Sequence, residues 1–256
     1  MGLLAIERRN AIARLVHEQG SVTLCELTAL FDVSSETVRK DLLALEKDQR
    51  LVRTHGGAVR VARREALAPL RERRKDCVAQ KRELCRYALR FIRNGDVIAL
   101  DEGSTGAELA RLIACTFTNL TIATSSLEIF NILSENPGFD LILCGGHFIR
   151  DELAFAGTLT LSLIQRLHFD KCFIFPSAVS LEWGLMDSRD DLIAVQQALI
   201  HHSDAVYVLA YSERFEQTAR IQVDEMRPTY TYITDSALPE EIYTRYLDHQ
   251  IQIIKE

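Results

Sequence analysis

A two-part α/β chain is what this sequence predicts: a small basic helical head, then a larger acidic domain built on a doubly wound parallel sheet. Three observations carry that reading. Residues 1–75 hold 15 Lys and Arg against 10 Asp and Glu, a net of +5, whereas residues 76–256 hold 15 against 26, a net of −11. Apolar residues recur at helical spacing through the first 45 positions. Beyond residue 76, short and nearly continuous apolar runs alternate with helical stretches, as strands covered on both faces do.

The head begins with a helix on which Ile6, Ile12, Leu15 and Val16 share a face, ended by Gly20. Thr23-Leu24-Cys25-Glu26 has the spacing of a capping box and starts a second helix through Leu27, Leu30 and Phe31. Asp32-Val33-Ser34 makes a turn and a fresh cap. In the third helix Val38, Leu42 and Leu45 fall at i, i+4 and i+7, so Ser35, Glu36, Thr37, Arg39 and Lys40 face away from the core in its first turns. This is the geometry of a helix-turn-helix, whose second helix presents its amino-terminal turns to the major groove. Ser35, Glu36 and Arg39 are the candidates for reading bases, Arg39 because its fork can grip a guanine; Thr37 and Lys40 are candidates for phosphates. Leu51 to Val59 predicts two short strands about the Gly56-Gly57 turn, a wing with Arg53 and His55 on its exposed side, able to touch backbone or minor groove.

The phrase Val33-Ser34-Ser35-Glu36-Thr37-Val38-Arg39-Lys40-Asp41-Leu42, followed by Leu51-Val52-Arg53-Thr54-His55-Gly56-Gly57-Ala58, closely resembles the signature of the DeoR family of bacterial transcription regulators. The resemblance implies a winged helix-turn-helix in which Asp41 is structural, tied to neighbouring backbone or Arg side chains. Residues 60–75 are charge-rich and poor in periodic apolar positions and predict a linker, which sets the head at 1–59 and the second domain at 76–256.

In that domain a helix over 77–93 leads to a strand at 96–100, a helix over 105–114 to a strand at 120–124, and a helix over 126–135 to a strand at 140–144. A strand at 171–175 follows, then a helix over 190–201, a strand at 205–209 and a last strand at 231–234. Ligands of such sheets bind beyond the carboxyl ends of the strands, where this chain places Asp101-Glu102-Gly103-Ser104-Thr105, Thr124-Ser125-Ser126 and Gly145-Gly146. Gly-Ser-Thr at a helix start offers backbone N–H groups, hydroxyls and the positive end of the helix dipole to a phosphate. Three such loops converging on one edge predict a ligand site.

The DeoR resemblance extends through these loops and through Gly157 and Phe169-Asp170-Lys171, covering nearly the whole chain. It implies an effector domain similar in fold to ribose-5-phosphate isomerase that senses a phosphorylated sugar, with positions 196 and 214 in the site. The chain departs from the family there. Phe175 and Ala178 stand for Gly, Gln196 for Lys, Tyr211 for Asp and Arg214 for Lys. Gln196 lacks a charge that could meet a phosphate, Tyr211 adds bulk and deletes an acceptor, and Arg214 supplies a positive charge.

The leading expectation is a repressor of a carbohydrate-utilisation operon, bound to operator DNA as a homodimer or homotetramer, since one winged head reads few base pairs. Two other readings use the same scaffold: a DNA-binding protein whose effector is altered or absent, and a sugar-phosphate isomerase. Against the isomerase, Asp101 and Glu102 are adjacent on a turn and make no convincing acid/base pair. No cofactor or metal is called for: Cys25, Cys77, Cys85, Cys115, Cys144 and Cys172 form no Cys-x-x-Cys pair and are expected as reduced, mostly buried thiols. The longest apolar run, Ala205 to Tyr211, falls far short of the roughly 20 residues a membrane span needs, and the first residues lack the basic-then-apolar order of a signal peptide. A cytoplasmic protein is expected.

Overall fold

The computed structural model describes residues 5–19, 21–47, 51–54, 56–59 and 68–256, which divide into two compact units, one up to Arg63 and one from Arg64 on. Gly20, His55 and positions 60–67 of the expected linker lie outside the described residues.

The first unit runs α1 (Ala5–Gln19), β1 (Ser21–Thr23), α2 (Leu24–Phe31), α3 (Ser35–Lys47), β2 (Val52–Thr54) and β3 (Gly57–Val59). The capping box is formed: Glu26 N–H donates to Thr23 Oγ1 at 3.2 Å and Thr23 N–H donates to Glu26 Oε2 at 2.7 Å. Asp32, at φ +49°, closes α2, and Ser34 Oγ accepts from Thr37 N–H at 3.3 Å to start α3. Val38, Leu42 and Leu45 are buried with Ile12, Val16, Leu27, Leu51 and Ala58 in one core. The two wing strands pair antiparallel as expected, Arg53 opposite Ala58. A third strand joins them, Val22 of β1 opposite Ala58 of β3; at three residues β1 is too short to show a period of two.

The second unit opens with α4 (Leu70–Arg73) and α5 (Val78–Ala88), then β4 (Val97–Leu100), α6 (Ser104–Thr116), β5 (Leu120–Thr124), α7 (Leu127–Leu133) and β6 (Phe139–Leu143). A hairpin of β7 (His147–Ile149) and β8 (Ala154–Ala156) leads into α8 (Thr158–Ile164) and β9 (Phe169–Ile174). Next come β10 (Ala178–Ser180), β11 (Gly184–Asp187), α9 (Asp190–His201) and β12 (Ser203–Leu209), and the chain closes with β13 (Ile221–Asp224), β14 (Thr231–Ile233), α10 (Glu240–Asp248) and β15 (Ile253–Ile254).

Seven strands form one parallel sheet in the order β15-β14-β12-β9-β4-β5-β6. Successive residues of β4 point to opposite cores: Ile98 and Leu100 pack with Leu84, Leu109 and Ile129 of α5, α6 and α7, while Ala99 lies in the core with Ile164, Leu199 and Tyr246 of α8, α9 and α10. Helices on both faces explain the unbroken apolar strands. Every expected strand and helix of this domain has its counterpart. The hairpin β7-β8, the antiparallel sheet β10-β11-β13, α8, α10 and β15 were not anticipated.

The part of the expected linker that is described, residues 68–75, is folded onto this unit. Leu70 is 1% exposed and its N–H donates to Asp151 O at 3.0 Å. All six cysteines are free thiols, but only Cys85, Cys144 and Cys172 are buried; Cys25 and Cys115 are exposed and Cys77 is half-buried, which corrects the expectation of mostly buried thiols. Cys25 sits in the first turn of α2 and Cys115 in the last turn of α6, where few neighbours cover them. Among the described residues no helix is long and apolar enough to cross a membrane.

Candidate functional site

On the first unit, the start of α3 is an exposed polar face. Ser35, Glu36, Arg39 and Lys40 are exposed and Thr37 is half-buried, its hydroxyl 2.9 Å from Ser34 Oγ. Arg39 and Glu36 approach only to 3.9 Å, with side chains 61% and 67% exposed, an ion pair too solvated to hold Arg39 back from another partner. Asp41, 2% exposed, accepts from Arg8 Nε at 2.6 Å and from Arg9 Nε at 3.0 Å, binding α3 to α1. Arg53 is engaged inside the unit: its Nε donates to Glu46 Oε2 at 2.7 Å and its N–H to Glu46 Oε1 at 3.0 Å, fastening β2 to α3. Gly56 is exposed at the tip of the wing.

On the second unit, chain order reverses between neighbouring β4 and β9, with β5 and β6 added on one side and β12, β14 and β15 on the other. Beyond the carboxyl ends of β4, β9 and β12 lies a small cavity of about 20 Å³, in the crevice expected at such a switch point. Gly103, at φ +122° a conformation that favours glycine, precedes the first residue of α6 and leaves that helix without a side-chain cap, and Gly103, Ser104 and Thr105 line the cavity. Arg214 lies 4.8 Å over the Tyr211 ring and its Nη1 donates to Ser177 O at 3.1 Å. Lys81 sits 5.5 Å over the same ring. Arg73 and Arg189 line the cavity as well and both bond Glu152, a carboxylate 1% exposed. Glu102, 5% exposed, lines the cavity, and its Oε2 has no hydrogen-bond partner among the described residues.

Of the sequence-predicted positions, Gly103, Ser104, Thr105 and Arg214 meet in this cavity. Asp101 and Gln196 lie beneath it, bonded to each other: Gln196 Nε2 donates to Asp101 Oδ2 at 2.8 Å, and Phe175 N–H donates to the same oxygen at 3.2 Å. Thr124, Ser125, Ser126, Gly145 and Gly146 are outside its lining. Thr124 Oγ1 accepts from Ser126 N–H at 3.1 Å, Ser126 Oγ caps α7, and Ser125 O accepts from Phe155 N–H at 2.9 Å. Gly145 O accepts from Thr160 Oγ1 at 3.1 Å, and a Cβ on Gly146 would lie 2.2 Å from that hydroxyl and 2.8 Å from Ala156 O. These residues fasten α7, α8 and the β7-β8 hairpin to the sheet, because β5 and β6 are on the far side of β4 from the switch point. Gly146→Ala is therefore expected to cost roughly 1–3 kcal/mol of stability by overpacking, measured by urea unfolding.

Charge in the cavity is strongly desolvated. Burial, then Glu102, pushes the Asp101 carboxyl up. Burial, then Glu102, pushes Asp187 up to about 6. Burial pulls Lys81 down to about 8, with its Nζ donating to Arg73 O at 2.6 Å and Asp76 O at 2.7 Å. Because the folded state holds the Asp187 proton more tightly than the unfolded chain, its contribution to stability is complete below about pH 4 and lost as the pH rises through about 6. Asp187→Asn is expected to flatten stability over that window and to raise it at pH 7, by on the order of 3 kcal/mol; fluorescence of Trp183, the single tryptophan, reports unfolding of this unit.

Arg73, Asp187 and Arg189 escaped the sequence reading. They sit on a one-turn helix, at the end of a short strand and in the loop after it, where no periodicity or motif marks them.

The model of the DeoR-like helix-turn-helix domain matches residues 8–64, and that of the DeoR C-terminal sensor domain matches residues 76–236. Similar relatives include the L-fucose operon activator of Haemophilus influenzae, 29% identical over 96% of this chain and 98% of that one. The glycerol-3-phosphate regulon repressor of Escherichia coli is 27% identical over 96% of this chain and 97% of that one. Among solved structures, ribose 5-phosphate isomerase A of Methanocaldococcus jannaschii superposes at a TM-score of 0.40, with 14% identity over 53% of each chain.

Proposed function

The chain belongs to the DeoR family of DNA-binding transcriptional regulators, and from that membership we propose that it represses a carbohydrate-utilisation operon until a phosphorylated sugar releases it from its operator. The observation that carries this is the lining of the cavity at the switch point. Arg214 and the start of α6, which has no side-chain cap, supply donors suited to a phosphate. Glu102 Oε2, buried and without a hydrogen-bond partner among the described residues, is an acceptor suited to a sugar hydroxyl. One relative is named for an L-fucose operon and the other for a glycerol-3-phosphate regulon, and they differ in sign, one an activator and one a repressor.

In the first unit, Ser35, Glu36 and Arg39 read bases and Thr37 and Lys40 hold phosphates; Gly56 brings the wing tip to the duplex, and Arg53, bonded to Glu46, sets the wing's position. The full assembly is a cytoplasmic homodimer or homotetramer held by the second unit, placing two or more heads on repeated half-sites. We read it as a regulator and not an isomerase: Asp101 lies outside the lining of the cavity, and its Oδ2 accepts from Gln196 Nε2 and from the Phe175 N–H.

A thermal-shift screen against sugar phosphates, free sugars and sugar acids tests the ligand reading. At about 100 times its dissociation constant a ligand stabilises the folded chain by about 2.7 kcal/mol. Arg214→Ala is expected to abolish most of the shift from the best sugar phosphate. If no compound shifts the wild type, the cavity has no phosphorylated-sugar ligand, and the reading as a regulator with an altered or absent effector takes its place.

A further inference from the structure

The guanidinium of Arg73 makes two contacts and lies close to a third group. Its Nε donates to Ala68 O at 2.9 Å, the backbone where the described part of the second unit begins. Its Nη2 bonds Glu152 Oε2, the same oxygen that Arg189 Nη1 bonds. Its Nη1 is the group nearest to Gly103 across the cavity, 3.9 Å from where a Cβ on that residue would sit. A guanidinium is planar and rigid, so one end of the fork cannot turn toward a new partner without disturbing the others.

The rest of α4 hangs on few supports. Leu70 is buried, Arg74 reaches Glu128 at 2.8 Å, and Lys81 Nζ donates to Arg73 O. The amides of Leu70, Glu72, Arg73, Arg74 and Lys75 are all hydrogen-bonded, so their exchange with solvent reports whether this turn is docked.

We propose that Arg73 is a ligand-binding residue of the cavity and also its transmitter: an anionic group held at the start of α6 draws the Arg73 fork away from Glu152 and Ala68 and undocks α4. Residues 60–67 join α4 to the DNA-binding unit, so ligand occupancy is passed to the connecting chain without any change in the sheet. This rests on the reading of the cavity as an anion-holding effector site. Phosphate and Glu152 compete for the same donors, and Glu152 keeps Arg189 when Arg73 leaves.

Amide hydrogen exchange of the full chain tests it, with inorganic phosphate as the probe against chloride at equal ionic strength. In the wild type, saturating phosphate is expected to slow the amides of residues 104–106 and to speed those of 70–75 by about tenfold. In Arg73→Lys, which keeps the charge but not the fork, phosphate still slows 104–106 and no longer speeds 70–75. Slowing at 104–106 with no change, or with slowing, at 70–75 in the wild type overturns the transmission and leaves the cavity reading intact. Equal speeding at 70–75 in Arg73→Lys removes Arg73 from the role. No effect at 104–106 defeats the cavity reading itself, and this inference with it.

Discussion

Arg39→Ala is expected to abolish sequence-specific DNA binding while the protein stays folded. Arg39 is exposed at the start of α3, its ion pair with Glu36 is long and solvated, and nothing in the core of the first unit depends on it. A bidentate pairing of Arg with guanine contributes about 1–3 kcal/mol of discrimination per base pair. With two heads on one operator, as proposed above, the loss doubles to about 2–6 kcal/mol. The check is fluorescence anisotropy on an operator fragment selected from genomic DNA by the wild-type protein, with circular dichroism confirming the fold. Lys40→Ala makes a useful contrast. If Lys40 holds a phosphate as proposed, its removal is expected to weaken binding to all sequences alike and to lower the salt dependence by about one unit of slope. An Arg39→Ala protein that still prefers its operator would remove α3 from the reading role.

Glu152→Ala is the substitution expected to cost the fold most. Glu152 is buried in the turn between β7 and β8, and both Arg73 and Arg189 converge on it. Burial, with Arg73 nearby, already pulls the Arg189 guanidinium down to about 10. Taking the carboxylate away leaves two half-buried guanidinium groups facing each other, and removing one side of such a buried cluster costs about 3–5 kcal/mol. Glu152→Gln keeps the volume and one acceptor and is expected to fall between. Urea unfolding followed by Trp183 fluorescence measures both, and a Glu152→Ala midpoint within error of wild type would show that the cluster does not hold α4 and the hairpin together.

Much of this architecture was legible in the residues. The Thr23 and Glu26 capping box and the Val38, Leu42, Leu45 stripe are local patterns, and they form as their spacing requires. The parallel strands were readable because burial on both faces leaves them uniformly apolar. The candidate site was legible only in part. Reading each strand end as a candidate loop selects Thr124 to Ser126 and Gly145-Gly146 as readily as Gly103 to Thr105, because strand order in the sheet is a tertiary property. Once β9 stands beside β4, the crevice is set by the ends of β4, β9 and β12, and the β5 and β6 loops turn to internal bonds. The aromatic residues at 175 and 211 line the cavity, and Arg214 stacks on one of them, so three of the positions where the resemblance implies a departure meet in its lining. Gln196 takes no part in the lining; its amide is used to hold Asp101.

The most direct measurement is a titration of the purified full chain onto its operator with and without the sugar phosphate that raises its melting temperature most. A regulator released by its ligand should lose operator affinity by about 5–150-fold, the usual range of coupling between two sites, and Arg214→Ala should need far more ligand to do so. Unchanged operator affinity with the cavity saturated would contradict ligand-controlled release and leave a DNA-binding protein whose second unit serves assembly.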